Sequence, residues 1–396
     1  MKLVGTVSQA VKILAKAFVF AFSIFVPRDD ELWVFSAGKT GVPFADNAKY
    51  LFLYCSRQDV RSVWITSSEE TMDALQERGY EAYLATSIRG RITMLRAGVF
   101  FETHGPIWPE YTGRARIVHL THGNYLKKML TDHTRDWSRP VKTAVDLLIG
   151  RRRRYTVTAG GTPAEITRSM HDIPRDRLLV TGFPRNDVLY SRLRGERIGL
   201  NESALDTVVN RVNEGPVVLY APTWREAYGE RNGTPLSEID LPLEKLDRVF
   251  AAHGGHLYLS PHPASSLDVP DDLTNISVLD SGGDLYPFLR NCDALITDYS
   301  GIFYDFLLLD RPVVFYAPYL PEYLKDRELY FEYENHVPGP VVRDGTGLID
   351  AVEGLLKGVD RFEKERASLR EEFYEDTSGQ ASARVYHAVR ESRRSS

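Results

Sequence analysis

The chain has 396 residues, enough for two hydrophobic cores of ordinary domain size. Its 43% hydrophobic and 26% charged residues are those of a globular protein, and a formal net charge of -5 argues against a dedicated nucleic-acid binder. Two cysteines, Cys55 and Cys292, both in apolar surroundings, exclude a disulfide framework and a cysteine zinc site and fit a reducing cytoplasm.

The first segment is the least ordinary. Val11 to Val26 is largely apolar, interrupted by Lys12, Lys16 and Ser23. Its unbroken part, Ala17 to Val26, is shorter than the roughly 20 apolar residues that span a bilayer. No small-residue cleavage site precedes Pro27-Arg28-Asp29-Asp30, which argues against a signal peptide. Two readings stay open. One is an interfacial helix on the membrane, with Lys2, Lys12 and Lys16 near the headgroups; the other is a buried first helix of the fold.

Short β-rich runs then alternate with helical spacing. The first half predicts strands at Leu32–Ser36, Ser62–Thr66, Gly98–Phe101, Arg116–Thr121, Tyr155–Ala159 and Leu178–Thr181, with helices at Asn47–Cys55, Glu69–Arg78 and Pro163–His171. The second half predicts strands at Pro216–Ala221, His256–Ser260, Ile276–Leu279, Ala294–Thr297 and Pro312–Tyr316, with helices at Leu243–Ala252, Leu285–Asn291, Ile302–Leu309 and Thr346–Leu356. Such alternation predicts an α/β fold of two Rossmann-like domains, each with a parallel sheet covered on both faces. The polar stretch Tyr190–Glu214 reads as the break. Arg361 to Arg393 is charged and helix-prone and is expected to cross back onto the first domain. The expected division is 1–27 for the apolar helix, 28–205 and 206–375 for the two domains, and 376–396 for a C-terminal helix and tail.

In doubly wound sheets, ligands sit beyond the C-terminal ends of the strands. Four such ends carry polar chemistry: His122-Gly123, Pro222-Thr223-Trp224-Arg225, Pro261-His262-Pro263 and Asp298-Tyr299-Ser300. Together they predict one cleft between the domains. His122 suits a general base, and Gly123 beside it leaves room for a substrate. The prolines fix His262, and Arg225 offers a planar fork for phosphate. Each has a plain alternative: a backbone-bonded His122, an Arg225 paired with a surface acid, and a core role for Trp224. The run Leu295 to Gly301 reads as a buried strand and a polar turn that opens a helix, which places N–H donors at Ser300 and Gly301 where a phosphate can sit. Arg151-Arg152-Arg153-Arg154 suits anionic lipid or a polyanion, or a solvated face. The sequence has no Walker loop, no metal-ligand cluster and no Gly-x-Ser-x-Gly elbow.

A longer series of motifs narrows the reading. It runs from Trp33-Val34-Phe35 and Asp46-Asn47-Ala48-Lys49-Tyr50-Leu51 through His122-Gly123 with Leu126-Lys127, and Gly182-Phe183-Pro184-Arg185-Asn186-Asp187. It continues with Tyr220-Ala221-Pro222-Thr223-Trp224-Arg225, His262-Pro263, Asp293 to Asp305, Arg311 to Tyr316, and Tyr330-Phe331-Glu332-Tyr333 leading to Pro338-Gly339-Pro340. In order and content the series resembles the CDP-glycerol:poly(glycerophosphate) glycerophosphotransferase family, the teichoic-acid polymerases and primases. The resemblance implies a GT-B fold, peripheral association with the cytoplasmic face of the cell membrane, and transfer of glycerol phosphate or a related polyol phosphate. The donor would be CDP-glycerol or another CDP-polyol, the acceptor a hydroxyl of a lipid-linked chain or glycopolymer, and CMP would leave. The family's catalytic histidine falls on His122 and its second histidine on His262. Its Thr-Asp-Tyr-Ser-Ser element falls on Thr297 to Gly301, so Thr223, Arg225, Asp298, Ser300 and Gly301 become the donor-site candidates, with no cofactor and no metal. This chain departs from the pattern at Thr121, where the family has Trp, at Asn124-Tyr125 in place of Thr-Pro, and at Gly301 in place of Ser. The alternatives are a GT-B glycosyltransferase using a nucleotide sugar, and a non-catalytic membrane-docked protein that binds glycopolymer.

Overall fold

The computed structural model describes residues 15–37, 44–104, 108–129, 132, 154–223, 241–260 and 269–392. Seven strands form the first sheet: β1 (Asp29–Ser36), β2 (Arg61–Thr66), β3 (Ala82–Leu84), β4 (Ala97–Glu102), β5 (Arg116–His119), β6 (Arg154–Thr158) and β7 (Leu178–Val180), in the order β3-β2-β1-β4-β5-β6-β7. Six form the second: β8 (Val217–Tyr220), β9 (His256–Leu259), β10 (Ile276–Val278), β11 (Ala294–Thr297), β12 (Val313–Tyr316) and β13 (Val341–Val342), in the order β10-β9-β8-β11-β12-β13. Every pairing in the two sheets is parallel. Both orders reverse once, between β1 and β4 and between β8 and β11, which is the doubly wound arrangement.

The strands are unbroken apolar runs because helices cover both faces of each sheet: all four residues of β8, β11 and β12 are buried, as are the last five of β1. Register then fixes where the loops emerge. Ser36 pairs with Glu102 and Glu102 with His119, so the chain leaves β1, β4 and β5 at one level. In the second sheet Tyr220 pairs with Ile296, which levels the loops after β8 and β11. One apolar cluster extends from Trp33, Phe35 and Trp64 through Phe183 and Val188 to Phe288, Phe303 and Phe315, joining the two domains.

The C-terminal segment does cross back. Its two helices are Glu363–Phe373 and Ala381–Glu391. The second places Tyr386 5.4 Å from Trp33, ring to ring, and its first N–H groups, on Ala381 and Ser382, donate to the Asp187 carboxylate at 2.7 and 2.9 Å.

Several elements differ from the sequence expectation. The polar stretch before β8 contains a helix, Glu202–Arg211, capped by Asn201 and anchored only by buried Leu205 and Val208, too few apolar positions to stand out. The short edge strands β3 and β13 draw their stability from a neighbour rather than from their own pattern. The strand at Arg116 ends at His119, because Thr121 takes a left-handed φ of 56°. The helix at Ile302 ends at Phe306 and tightens into a 3₁₀ turn at Leu307–Leu309.

A buried ion pair ties the domains together away from the cleft. Lys49 Nζ lies 2.8 Å from Asp284 Oδ2 with both side chains fully buried, and also donates to the Glu196 carbonyl at 2.7 Å; Tyr50 donates to the same Asp284 oxygen at 2.7 Å. Removing one partner strands the other charge out of water, at a cost of about 3–5 kcal/mol. Lys49→Met is therefore expected to lower the thermal unfolding midpoint by several degrees in calorimetry, and Lys49→Met with Asp284→Leu to recover part of the loss.

Candidate active site

The levelled ends of β1, β4 and β5 bring three side chains together that are far apart in sequence. Asp46 opens the helix Asp46–Cys55, His104 follows β4, and His122 follows β5. His122 Nδ1 lies 3.3 Å from Asp46 Oδ2, and the His104 and His122 ring centroids are 3.7 Å apart. With its Nδ1–H donated to Asp46, His122 is held in the tautomer whose Nε2 is free to accept a proton.

The backbone here is bent to present these groups. Asp46 (φ 62°) and Thr121 (φ 56°) are both left-handed, which is costly for a β-branched threonine. Asn47 holds the second bend: its Nδ2 donates to the carbonyls of Leu120 at 3.3 Å and Thr121 at 3.0 Å, while its Oδ1 accepts from the Arg185 N–H at 3.0 Å.

Arg185 is the central cation. Its Nη1 donates to Asp46 Oδ1 at 2.9 Å, and its Nη2 donates to the His122 carbonyl and to Asp305 Oδ2, both at 2.6 Å. Asp305 belongs to the second domain and also accepts from Asn186, Tyr286 and Tyr374. Burial alone would raise the Asp46 carboxyl; the Arg185 charge and the bond from His122 outweigh it and hold the group well below the usual carboxylate range. Desolvation, and then the neighbouring His122, push His104 down to about 4, so it is neutral at pH 7. Gly123 (φ 95°) serves this network: a Cβ there would lie 2.2 Å from Arg185 Nη2. The glycine makes room for the guanidinium rather than for a substrate, a correction to the sequence reading.

Across from His122 stands the turn after β11. A cleft of about 300 Å³ is lined by His122, Asn124, Lys127 and Arg185 on one side and Tyr286, Ser300 and Gly301 on the other. Ser300 and Gly301 precede the helix Ile302–Phe306, so no earlier helical residue engages their N–H groups within that helix. Asp298 sits behind the turn, 2% exposed; its Oδ1 accepts from the Thr223 N–H at 2.7 Å and hydroxyl at 2.6 Å. Asp298 and Thr223 thus brace two strand ends against each other and are not among the cleft-lining residues. His262 and Arg225 lie outside the described residues.

His104 and Lys127, like Asp46 and Arg185, were not singled out from the sequence as site residues. Among the described residues, Asp46, His104 and His122 form the group whose ligand atoms, all within 4.8 Å, could hold a metal ion. The Arg185 guanidinium on Asp46 opposes a cation there. His104 carried no signal beyond its place after a strand. Lys127 lines the cleft with no carboxylate in ion-pair reach among the described residues, its Nζ 5.4 Å above the Tyr323 ring. Burial pushes it down to about 8, against the pull of Asp298. Its segment pairs with the second domain: Lys127 bridges Leu329, Lys128 N–H donates to the Glu328 carbonyl at 2.8 Å, and Tyr330 N–H to the Leu126 carbonyl at 3.0 Å.

Known proteins resemble this chain over most of its length. The family model described as CDP-Glycerol:Poly(glycerophosphate) glycerophosphotransferase matches residues 18–391. A teichoic acid glycerol-phosphate transferase of Staphylococcus aureus is 26% identical, the match covering 96% of this chain and 98% of that protein. A teichoic acid poly(glycerol phosphate) polymerase of Bacillus subtilis is 24% identical over 88% of this chain, which spans 47% of its length. In structure, the wall teichoic acid polymerase TagF superposes with a TM-score of 0.76 at 21% identity, covering 97% of this chain and 95% of that one, and so shares the GT-B-like fold. With the family's model matching residues 18–391 of 396, the chain belongs to the CDP-glycerol:poly(glycerophosphate) glycerophosphotransferases.

Proposed function

We propose that this glycerophosphotransferase moves glycerol phosphate from CDP-glycerol to a terminal hydroxyl of a teichoic-acid-type acceptor, with His122 as general base. The observation that carries the reading is the Asp46–His122 pair facing the Ser300-Gly301 turn across one cleft. The acceptor oxygen attacks the β-phosphorus, its proton passes to His122 Nε2, the bond from that phosphorus to the bridging oxygen breaks, and CMP leaves. Catalysis then rests on positioning and charge neutralisation. The turn N–H groups and Lys127 face the pyrophosphate, with Arg225 and His262 assigned to it from the sequence. The domain 28–205 takes the acceptor and 206–375 the donor. Arg185 is already committed to two carboxylates and holds the base in place.

The protein would work on an anionic membrane surface. Residues 15–23 are helical, and Phe18 and Phe22 within them and Phe25 just after are 76%, 56% and 83% exposed, an apolar edge that water does not favour. Arg28 ties this helix to the helix Ile88–Arg96 by donating to the carbonyls of Ser23, Met94 and Ala97, and that helix exposes Ile88 and Ile92 among its arginines. Among the described residues no helix is long and apolar enough to cross a membrane. Arg151–Arg153 lie outside the described residues, and Arg154 is taken by Glu102 at 3.1 Å, so it adds nothing to a lipid-facing block.

His122→Ala should lower CMP release from CDP-glycerol by roughly 10²–10⁴ with an unchanged unfolding midpoint. The parallel wild-type assay should proceed in EDTA. Loss there, restored by a divalent ion, would assign a metal to Asp46, His104 and His122, and wild-type turnover in the alanine variant would remove His122 from the mechanism.

Lys127 sets the alkaline behaviour. It carries its charge below about 8 and loses it above, so kcat/KM for the donor should fall as pH rises through that value. Lys127→Arg should move this limb to higher pH. An unmoved limb would show that another group titrates.

Phe18→Glu with Phe22→Glu should weaken sedimentation with phosphatidylglycerol vesicles by roughly tenfold or more, while turnover of a soluble acceptor analogue persists. Equal sedimentation of both forms would contradict the docking edge.

A further inference from the structure

One side chain in the cleft has its whole hydrogen-bonding capacity unused. Asn124 is only 6% exposed and lines the cleft beside His122 and Ser300, yet neither its Oδ1 nor its Nδ2 has a partner among the described residues. A buried carboxamide left this way is unfavourable, and native proteins satisfy such groups with a ligand or an ordered water. Nearby, Asn47 is engaged at both Nδ2 and Oδ1, and Asn186 donates its Nδ2 to Asp305, so among these cleft amides Asn124 stands apart in having neither atom partnered. Asn124 also stands where a loop of each domain meets the other. A Cβ on Gly301 would lie 2.9 Å from the Asn124 carbonyl, so the absence of a side chain at 301 leaves the two loops in contact.

The chemistry of the amide selects its ligand. Nδ2 donates and Oδ1 accepts, side by side at one side-chain end. A phosphate oxygen would satisfy Nδ2 and be repelled by Oδ1. An apolar group would satisfy neither. Two hydroxyls on adjacent carbons satisfy both, one accepting and the other donating. We propose that Asn124 is a specificity-determining residue that reads a vicinal diol of a polyol bound between His122 and the Ser300-Gly301 turn. The assignment rests on the polyol-phosphate transfer proposed above. The diol has two sources in that reaction, the polyol of the CDP donor and the terminal unit of the acceptor.

The test compares wild type with Asn124→Leu, close in size and without polar atoms, using CMP release. Donors are CDP-glycerol and its analogue lacking the hydroxyl next to the terminal one; acceptors end in glycerol phosphate or in the matching deoxy unit. Wild type should prefer the diol over the deoxy substrate by on the order of ten- to a hundredfold in kcat/KM, on one of the two substrates. Asn124→Leu should erase that preference, and the substrate on which it is erased names the source. Its unfolding midpoint should be equal or higher, because an unpaired buried amide has been removed; if it fails to fold, Asn124→Ala carries the same comparison. A preference that survives in the variant, or an equal loss on diol and deoxy substrates, would overturn the assignment alone. Wild type that releases no CMP from CDP-glycerol would overturn the reaction and the assignment together.

Discussion

The geometry of the site hangs on one guanidinium. Arg185 is 7% exposed and bonds to a carboxylate from each domain, to the carbonyl of His122, and stacks its cationic carbon 4.7 Å from the centre of the Tyr286 ring. Taking such a charge out of water costs several kcal/mol, and ion pairing in the interior often does little more than cancel that cost. The cluster is better understood as a device for geometry than for stability. A planar fork fixes Asp46 and the His122 backbone at once, which the single ammonium of a lysine could not do. Asp46 in turn fixes the imidazole. The proposed base is therefore held through Asp46 and its own carbonyl by one cation, and through Asp305 its orientation depends on the other domain being in place.

Around that cation the chain accepts local strain. Two left-handed non-glycine residues, Asp46 and Thr121, lie in the segments that present His122 and its carboxylate partner. Each is over-determined: Asp46 by the guanidinium and His122, Thr121 by the Asn47 amide. The surrounding apolar cluster, continuous from Trp33 to Phe315, resists relaxation of either bend.

Much of this was legible in the sequence. The alternation of apolar runs and helical spacing predicted two parallel sheets, and the rule that ligands gather at strand ends singled out His122 and the Ser300-Gly301 turn. What escaped was the relation between residues. Asp46 stood in a recognised motif, but its bond to His122 spans 76 positions and follows from strand register, which composition does not encode. Arg185 was likewise visible in a motif and invisible as a clamp. Gly123 was read as space for a substrate, because a left-handed glycine beside a histidine looks the same whether a ligand or a guanidinium fills the gap. Lys127 was visible in a motif but not as a cleft cation, and His104 carried no local signal, since their importance comes from what neighbouring loops bring to them. The short strands β3 and β13 were missed for the same reason.

The antiparallel contact between Leu126–Lys128 and Glu328–Tyr330 has a mechanical consequence. The segment that follows His122 is stitched to the second domain while its root stays in the first sheet. A hinge motion that swung the domains apart would have to unzip these pairings, release Asp305 from Arg185 and wet an apolar seam, all before any nucleotide moved. Such a molecule favours a standing aperture over a jaw. CMP and fresh donor would then exchange through the same permanent opening while His122 stays seated, and the pace of turnover would be set by diffusion through that mouth and by chemistry rather than by reassembly of the site.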